Sequence, residues 1–236
     1  MSSIIGIFYS EPGCGKTYQV LTAEEPIEYY DMENRGKKKI EKYYPDKLIT
    51  LHELKLYDKN FNEDKIGSFD AFNEEIKKLI KLKENEIPQT IIIDGIGDLR
   101  DYAHEKWCKM EKRKKAMNPG DWEGVNDLVR NALFPPINWA RVHKTNLLMT
   151  AQMKDNYTVV GKGDDKTSSK DGRIPSFKEF CGYNVDLLIE LWQPKVKGKI
   201  MPGQYMATCS KSEAGSWEEN ITNKNLWSVL QEKGVI

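Results

Sequence analysis

Short apolar runs, each about the length of one β-strand, recur along the chain. They cover residues 3–10, 27–30, 48–51, 90–94, 146–150, 185–192 and 204–208. The run TIIID at 90–94 is continuous and β-branched, which is typical of a strand buried on both faces of a parallel sheet. Between such runs, Phe69, Phe72 and Ile76 recur at helical spacing and predict a helix over 68–86.

The alternation of strands and helices predicts an α/β fold, with a doubly wound and mostly parallel sheet. The last two apolar runs flank a turn-rich segment at 194–203, which predicts antiparallel strands at the sheet edge near the C-terminus. We expect helix breaks at Asn118-Pro119-Gly120 and at Pro135-Pro136. The polar segment 155–176 is long for a connection and is predicted to be a mobile functional loop. No repeat or linker divides the chain, so 1–236 is predicted to be one domain.

Composition and charge narrow the class of protein. The chain has 36 Lys and Arg against 36 Asp and Glu, so net charge favours no particular partner. Its four cysteines include no CxxC pair, which argues against a zinc ribbon or a disulfide framework. No run approaches the roughly 18 to 20 apolar residues of a membrane span, and no signal peptide is evident. We therefore expect a cytoplasmic protein with no membrane partner.

The clearest chemical motif follows the first predicted strand. It reads SEPGCGKT at 10–17 and matches the phosphate-loop pattern G-x-x-x-x-G-K-[ST] at every position but the first. Successive backbone N–H groups between a strand and a helix can wrap a phosphate chain. Lys16 is expected to bridge the β- and γ-phosphates of ATP, and Thr17 to bind Mg²⁺. The predicted nucleotide contacts are Ser10, Glu11, Pro12, Gly13, Cys14, Gly15, Lys16, Thr17 and Tyr18.

Three polar residues at strand ends complete the predicted site. Asp94 ends TIIID and is expected to hold Mg²⁺ with Thr17, partly through water. Gly95 follows it, where many ring ATPases have the catalytic glutamate, so the base must come from elsewhere. Glu33 is the predicted base, on the expectation that its strand neighbours the phosphate-loop strand; a solvated loop acid is the alternative. Gln152 is predicted to bind the γ-phosphate, with a surface amide as the alternative.

The order SEPGCGKT, YYDMEN, TIIID and LLMTAQMKD resembles the RecA-type recombinase core over about residues 4–217. It most resembles the compact RecA-like ATPases of phages and archaeal viruses, which include single-strand annealing proteins. The resemblance implies a RecA-like P-loop NTPase core that hydrolyses ATP with Mg²⁺. It also implies that Glu33 activates water and that Gln152 senses the γ-phosphate.

The resemblance further implies that the loops after Asp94 and Gln152 carry single-stranded DNA. Both loops coincide with basic stretches, KWCKMEKRKK at 106–115 and a second at 162–178, and such charge gives salt-sensitive binding to phosphates. A solvated helix face is the alternative for the first stretch. The expected DNA contacts are Lys106, Lys109, Lys112, Arg113, Lys114, Lys115, Lys162, Lys166, Lys170 and Arg173.

Basic residues from a neighbouring subunit complete the site in RecA-like proteins. Lys211 resembles that position, and Lys154 is the second candidate, so a homo-oligomer is expected, either a ring or a filament. The predicted function is a Mg²⁺-dependent ATPase that binds DNA during viral or mobile-element recombination, repair or replication. The alternatives are a ring-forming DNA motor or packaging ATPase, a nucleotide-gated binding module and a small-molecule or nucleotide kinase. A kinase needs an arginine-rich lid, whereas the long loop contains only Arg173.

Overall fold

A nine-stranded sheet forms the centre of the computed structural model, which describes residues 3–160, 167–175, 184–196, 199–201 and 203–236. The strands are β1 (Ile5–Ser10), β2 (Ile27–Asp31), β3 (Ile49–Glu53), β4 (Thr90–Asp94), β5 (Asn146–Val160), β6 (Thr167–Pro175), β7 (Leu187–Trp192), β8 (Lys195–Val196), β9 (Lys199–Ile200), β10 (Met206–Lys211) and β11 (Trp217–Asn220). Nine of these strands form the main sheet, and the other two, β8 and β9, form a separate two-stranded ribbon.

The helices lie in the connections between strands. They are α1 (Lys16–Val20), α2 (Gly36–Tyr43), α3 (Lys65–Leu79), α4 (Ile96–Met110), α5 (Pro119–His143) and α6 (Leu226–Glu232), with a 3₁₀ turn at Glu84–Glu86. None of the helices in the described part of the chain combines the length and apolar character that crossing a membrane requires.

The strand order of the main sheet is β11-β10-β7-β1-β5-β4-β2-β3, and β6 pairs with β5 beside this path. All neighbours from β7 to β3 are parallel, whereas β10 and β11 are antiparallel additions at the C-terminal end of the chain. The predicted α/β fold with a mostly parallel sheet is therefore confirmed. The edge of the sheet beyond β10 is formed by β11, a strand that the apolar pattern did not predict.

The sheet is buried on both faces, as the continuous TIIID run predicts. On one face, Ile91 and Ile93 lie in a core with Phe72 of α3 and Leu99 of α4. On the other, Ile92 packs in a second core that contains residues of α1 and α6. Because successive strand side chains point to opposite faces, one short run serves both cores.

Helix α5 differs from the prediction in one respect and agrees in another. Asn118 caps it, accepting a hydrogen bond of 2.9 Å from the backbone N–H of Asp121, so the predicted break before the helix is present. The predicted break at Pro135-Pro136 is wrong, because both prolines lie within the helix. Pro136 and Ile137 are buried, and this burial stabilises the helix where the proline nitrogens cannot donate hydrogen bonds. Helix α3 is also shorter than expected and ends at Leu79.

The segment predicted as a mobile loop at 155–176 is largely a β-ribbon. Strand β5 continues to Val160 and pairs antiparallel with β6, with Met153 opposite Pro175 and Val160 opposite Thr167. The polar composition of this segment pointed to a loop, but the run Thr158-Val159-Val160 is β-branched and favours a strand. The ribbon extends a central strand beyond the end of its neighbour β1.

Candidate functional site

The loop between β1 and α1 is shaped by its backbone. Gly13 and Gly15 have φ angles of 85° and 81°, in the left-handed region that other residues adopt only with strain. A methyl group at either position would meet nothing within 4 Å, so conformation and not crowding requires glycine there. The loop thus has the shape that the phosphate-binding pattern requires, and Lys16 opens the helix that follows.

Ser10, the one departure from that pattern, has a clear contact. The ammonium of Lys16 donates to the Ser10 hydroxyl at 3.0 Å and lies 3.4 Å from its carbonyl oxygen. The hydroxyl in turn donates to the carbonyl of Glu11 at 2.6 Å. Ser10, at the start of the loop, therefore binds the ammonium of Lys16, so the lysine side chain folds back towards the first residue of the loop.

Acidic groups face the same lysine. Burial lowers the pKa of Lys16, and the carboxylates of Glu33 and Asp94, followed by Cys14, oppose that shift. Carboxylates can act on the ammonium in this way only when they lie near it. The structure therefore brings Lys16, Glu33 and Asp94 to one place, although they come from α1 and from the ends of β2 and β4.

The Asp94 carboxylate is held by hydroxyl groups from three elements. Thr17 donates to Oδ2 at 2.8 Å and Tyr29 to the same oxygen at 2.5 Å, while Thr150 of β5 donates to Oδ1. Thr150 itself accepts from the backbone N–H of Gly95 at 2.9 Å. The Tyr29 hydroxyl keeps its proton and can donate it to Asp94, because burial and the neighbouring carboxylates raise the pKa of Tyr29 well above the usual range. Asp94 is thus fixed in position and aimed at the phosphate loop.

The donor set at Thr17 and Asp94 fits a magnesium ion. Both residues are buried, and they offer a hydroxyl and a carboxylate oxygen 2.8 Å apart. Oxygen ligands of this kind are those that Mg²⁺ prefers. An ammonium group already contacts one member of this pair, because Lys39, from α2, donates to Thr17 Oγ1 at 2.7 Å.

The expectation that β2 neighbours β1 is wrong. Strands β5 and β4 lie between them, and β2 pairs with β4 and β3. Glu33 nevertheless reaches the site because it follows β2 directly and lies over Gly95: a methyl group at Gly95 would lie 2.9 Å from Glu33 Cγ. Arg35 makes an ion pair with Glu33 at 3.8 Å. The Glu33 side chain thus lies over the end of the neighbouring strand β4, and it reaches the site although β2 and β1 are not adjacent.

Asp31 fixes the turn that carries Glu33. Its buried carboxylate accepts from the backbone N–H of Glu33 at 3.0 Å and from that of Gly36 at 2.6 Å. Burial raises the pKa of Asp31, with the N–H donor at Gly36 opposing this and Asp94 adding to it. Asp31 therefore fixes the backbone of the turn that carries Glu33, the predicted base. The DMEN segment offers this acid beside Glu33, but the sequence does not tell which carboxylate turns inward.

Gln152 lies beside the start of the phosphate loop. Parallel pairing of β1 and β5 places it opposite Ser10, and its side chain is exposed. It follows Thr150, which binds Asp94, by two residues, so both lie on the same strand end. This position is compatible with the predicted phosphate contact, which stays a prediction.

A cleft of about 410 Å³ opens on the β7 side of the phosphate loop. Glu11, Pro12 and Cys14 of the loop form one wall, and residues at the end of β7 together with Ile200 of β9 form the other. The phosphate loop therefore has open space on its β7 side.

Asp98, in the first turn of α4, is a second acid near Glu33. Burial, and then the Glu33 carboxylate, raise its pKa from 3.8 to about 6. The folded chain thus binds this proton more tightly than the unfolded chain, so stability present below pH 4 is lost as the pH rises through 6. We expect Asp98→Asn to match the parent in stability at pH 4 and to exceed it at pH 7 by about 1 to 2 kcal/mol, since solvent screens a carboxyl that is only partly buried.

Denaturant unfolding at both pH values measures this difference. Glu105→Gln, at an exposed position on the same helix, is the control and should leave stability close to that of the parent at both pH values. A gain for Asp98→Asn that is equal at the two pH values would contradict the assignment.

Two members of the first basic stretch make ion pairs. Lys106 pairs with Asp70 of α3, and Arg113, whose side chain is half exposed, pairs with Asp121 at 2.6 Å. The other four members, Lys109, Lys112, Lys114 and Lys115, are exposed. Of the second stretch, Lys170 and Arg173 belong to β6, and Lys162 and Lys166 lie outside the described residues. DNA contact by these residues stays a prediction.

The two residues predicted to act across a subunit boundary lie far apart in the sheet. Lys211 ends β10, pairs in register with Leu188 and donates to the carbonyl oxygen of Val185. Because β10 is antiparallel to β7, this end of β10 is opposite to the edge that carries the phosphate loop. Lys154 pairs in register with Ile174 on the β5–β6 ribbon. Lys211 therefore cannot be a close neighbour of its own chain's loop, and action in trans stays a prediction.

The chain matches one family model and several known structures. The model described as "AAA domain" matches residues 3–214. A KaiC-like protein from the hyperthermophilic archaeon Pyrococcus horikoshii OT3 is 12% identical, with a TM-score of 0.51, and the match covers 93% of this chain and 85% of that one. The RadB recombinase is 14% identical, with a TM-score of 0.52 and coverage of 93% and 86%. Among curated protein sequences no match was found. At such low identities, the structural likeness establishes the fold.

Proposed function

The chain belongs to the AAA domain family and has the fold of RecA-like P-loop ATPases, and on that premise we propose that it is a Mg²⁺-dependent ATP hydrolase formed by one domain. The observation that carries this proposal is the hydrogen bond of 2.8 Å between Thr17, at the end of the phosphate loop, and Asp94, at the end of the buried strand β4. The two residues are 77 positions apart in sequence, so only the fold brings them together.

In this proposal, each group at the site has one task. The loop backbone from Ser10 to Thr17 binds the phosphates, and Lys16 releases Ser10 to neutralise the β- and γ-phosphate oxygens. Thr17 and Asp94 would hold Mg²⁺, which supplies charge neutralisation on the phosphate oxygens. Catalysis of phosphoryl transfer depends mainly on positioning and on charge stabilisation.

Glu33 is proposed as the general base. It would accept a proton from a water molecule as the water oxygen bonds to the γ-phosphorus and the bond between that phosphorus and the ADP oxygen breaks. Asp31 holds the Glu33 backbone through its hydrogen bond of 3.0 Å, so the base starts from a fixed turn. Gln152, exposed opposite Ser10, is proposed to bind the γ-phosphate and to transmit its loss along β5 to the ribbon.

We test hydrolysis by phosphate release from ATP, measured with Mg²⁺ and with excess EDTA. Release that requires Mg²⁺ is the expected result. Transfer of the γ-phosphate to a small molecule, with no release to water, would instead support the kinase alternative.

We further propose that the chain binds single-stranded DNA and acts as a homo-oligomer in recombination, repair or replication, as in the compact phage and viral ATPases it resembles. Two features support this: the exposed lysines at the end of α4 and just after it, and Lys170 and Arg173 of the β5–β6 ribbon. The first follow β4 through α4, and the ribbon continues β5, and both strands lie at the site. The printed name of one structural relative, RadB recombinase, adds support. Lys211 and Lys154 are the proposed contacts to the neighbouring subunit's site.

A triple variant tests the DNA surface. Replacement of Lys112, Lys114 and Lys115 by alanine is expected to weaken binding to a fluorescent oligonucleotide. The salt dependence should also flatten, by up to about 2 in the slope of log affinity against log salt, because each lost phosphate contact removes about 0.7.

The matched control replaces three exposed lysines of and beside α3, Lys77, Lys78 and Lys81. It should leave both affinity and slope unchanged. Equal losses in the two triples would show that binding follows total charge, and would contradict a DNA surface at 112–115.

A further inference from the structure

We propose that Lys39 is a built-in competitor of Mg²⁺, whose ammonium uses the same oxygen of Thr17 as the metal and must move before the metal can bind. The inference rests on the proposed function, because it assumes that Thr17 and Asp94 hold Mg²⁺. It assigns a regulatory position to a residue that lies outside the phosphate loop and outside the strand ends.

The start of α2 is fixed tightly enough to direct Lys39 into the site. The Asp31 carboxylate accepts from the backbone N–H of Gly36, the first residue of α2, at 2.6 Å. Gly36 also lies directly on the Tyr29 ring: a methyl group there would come within 2.2 Å of Tyr29 Cε1. Since the Tyr29 hydroxyl donates to Asp94, the helix is anchored to the same carboxylate as Thr17. Lys39 lies three residues after Gly36, on the helix so anchored.

The competition concerns a single oxygen atom. A threonine hydroxyl has one proton and two acceptor lone pairs. The proton of Thr17 Oγ1 goes to Asp94 Oδ2 at 2.8 Å, and one lone pair accepts from Lys39 Nζ at 2.7 Å. Magnesium would bond to the same oxygen at about 2.1 Å. Both cations on one oxygen would lie within about 4 Å of each other, which their charges oppose.

A second ammonium is also nearby. Lys39 is among the groups that lower the pKa of Lys16, which indicates that the two positive charges lie close together. Once phosphates and Mg²⁺ are bound, the site has to hold the metal and both lysines, and Lys39 is the one whose contact the metal replaces. We therefore expect Mg²⁺ binding to displace the Lys39 side chain and to loosen α2.

Calorimetric titration of ADP at a series of Mg²⁺ concentrations tests the proposal without any hydrolysis. In Lys39→Met, the Mg²⁺ concentration at which ADP affinity is half-maximal should fall at least 3-fold below that of the parent chain. Lys37→Met, at an exposed position of the same helix, should match the parent. A requirement for Mg²⁺ in Lys39→Met that is equal to or above the parent's would overturn the proposal.

Amide hydrogen exchange of the unmodified chain gives a second readout that needs no variant. Exchange over 36–43 should be faster with ADP and Mg²⁺ than with ADP in EDTA. Identical exchange in the two conditions would count against displacement of Lys39. A parent chain that binds no ADP at any Mg²⁺ concentration would overturn the proposed function together with this inference. If the parent binds ADP in a Mg²⁺-dependent way and Lys39→Met has the same Mg²⁺ requirement, the inference about Lys39 fails but the proposed function does not.

Discussion

Lys16→Ala is expected to lower nucleotide affinity at least 100-fold and to abolish hydrolysis. The ammonium is partly buried beside Glu33 and Asp94, and these acids would face the phosphates without a compensating cation in its absence. Leaving buried charges of one sign unpaired is among the most costly changes at a binding site. Titration of ADP in the presence of Mg²⁺ measures the loss.

Two measurements distinguish this loss from misfolding. Thermal unfolding of Lys16→Ala without nucleotide should remain a single cooperative transition, because Asp94 keeps its three hydroxyl donors and the hydrogen bonds of Lys16 to Ser10 are partly exposed to solvent. The control Lys38→Ala, at an exposed position on α2, should bind ADP as the parent does. Retained ADP affinity in Lys16→Ala would mean that the loop does not hold the phosphates.

Glu33→Gln is expected to retain ATP binding within a few-fold and to lose hydrolysis by about 10² to 10⁴, the range that general-base catalysis contributes. Glutamine keeps the size of the side chain over Gly95 but cannot accept the proton from water. Single-turnover phosphate release, with ATP affinity measured in parallel, separates the two effects.

Glu53→Gln is the matched control for this variant. Glu53 ends β3, at the same edge of the sheet, and is opposite Asp31 in register, but its side chain is exposed. Its hydrolysis should equal that of the parent. If Glu33→Gln turned over ATP at the rate of the parent, another group would have to be the base.

Local patterns predicted the parts of the site that depend on neighbouring residues. The phosphate loop is one contiguous motif, and Asp94 ends a run that is apolar because β4 is buried on both faces. The phosphate loop and the strand that ends at Asp94 can each be recognised from one short stretch of sequence. The mostly parallel α/β fold follows from the alternation of such windows.

Strand order and the support around Asp94 depend on contacts between distant residues. Nothing in the β2 run shows that β5 and β4 separate it from β1. Tyr29 and Thr150 read as ordinary strand residues, yet both donate to Asp94. Lys39 is one of three successive lysines, and only the anchoring of α2 decides that it reaches Thr17. Strand order, the donors to Asp94 and the contact of Lys39 can be assigned only from the folded structure, because no sequence pattern within one helix or strand indicates them.

The basic stretch at 106–115 shows the same limit for charge. Six basic residues look equivalent in sequence, but the fold pairs Lys106 and Arg113 with acids on α3 and α5 and leaves four lysines exposed. Surface ion pairs of this kind contribute little to stability, but each places an acid beside the basic side chain and so offsets its charge. The exposed lysines are therefore the sharper candidates for contact with DNA.

The most direct test of the central claim is steady-state phosphate release from ATP by the purified chain, with Mg²⁺, in the presence and absence of single-stranded DNA at two salt concentrations. The account predicts Mg²⁺-dependent release that DNA stimulates, with stimulation that fades at the higher salt and is absent in Glu33→Gln. Release that persists unchanged in Glu33→Gln, or no release from ATP with or without DNA, would contradict it.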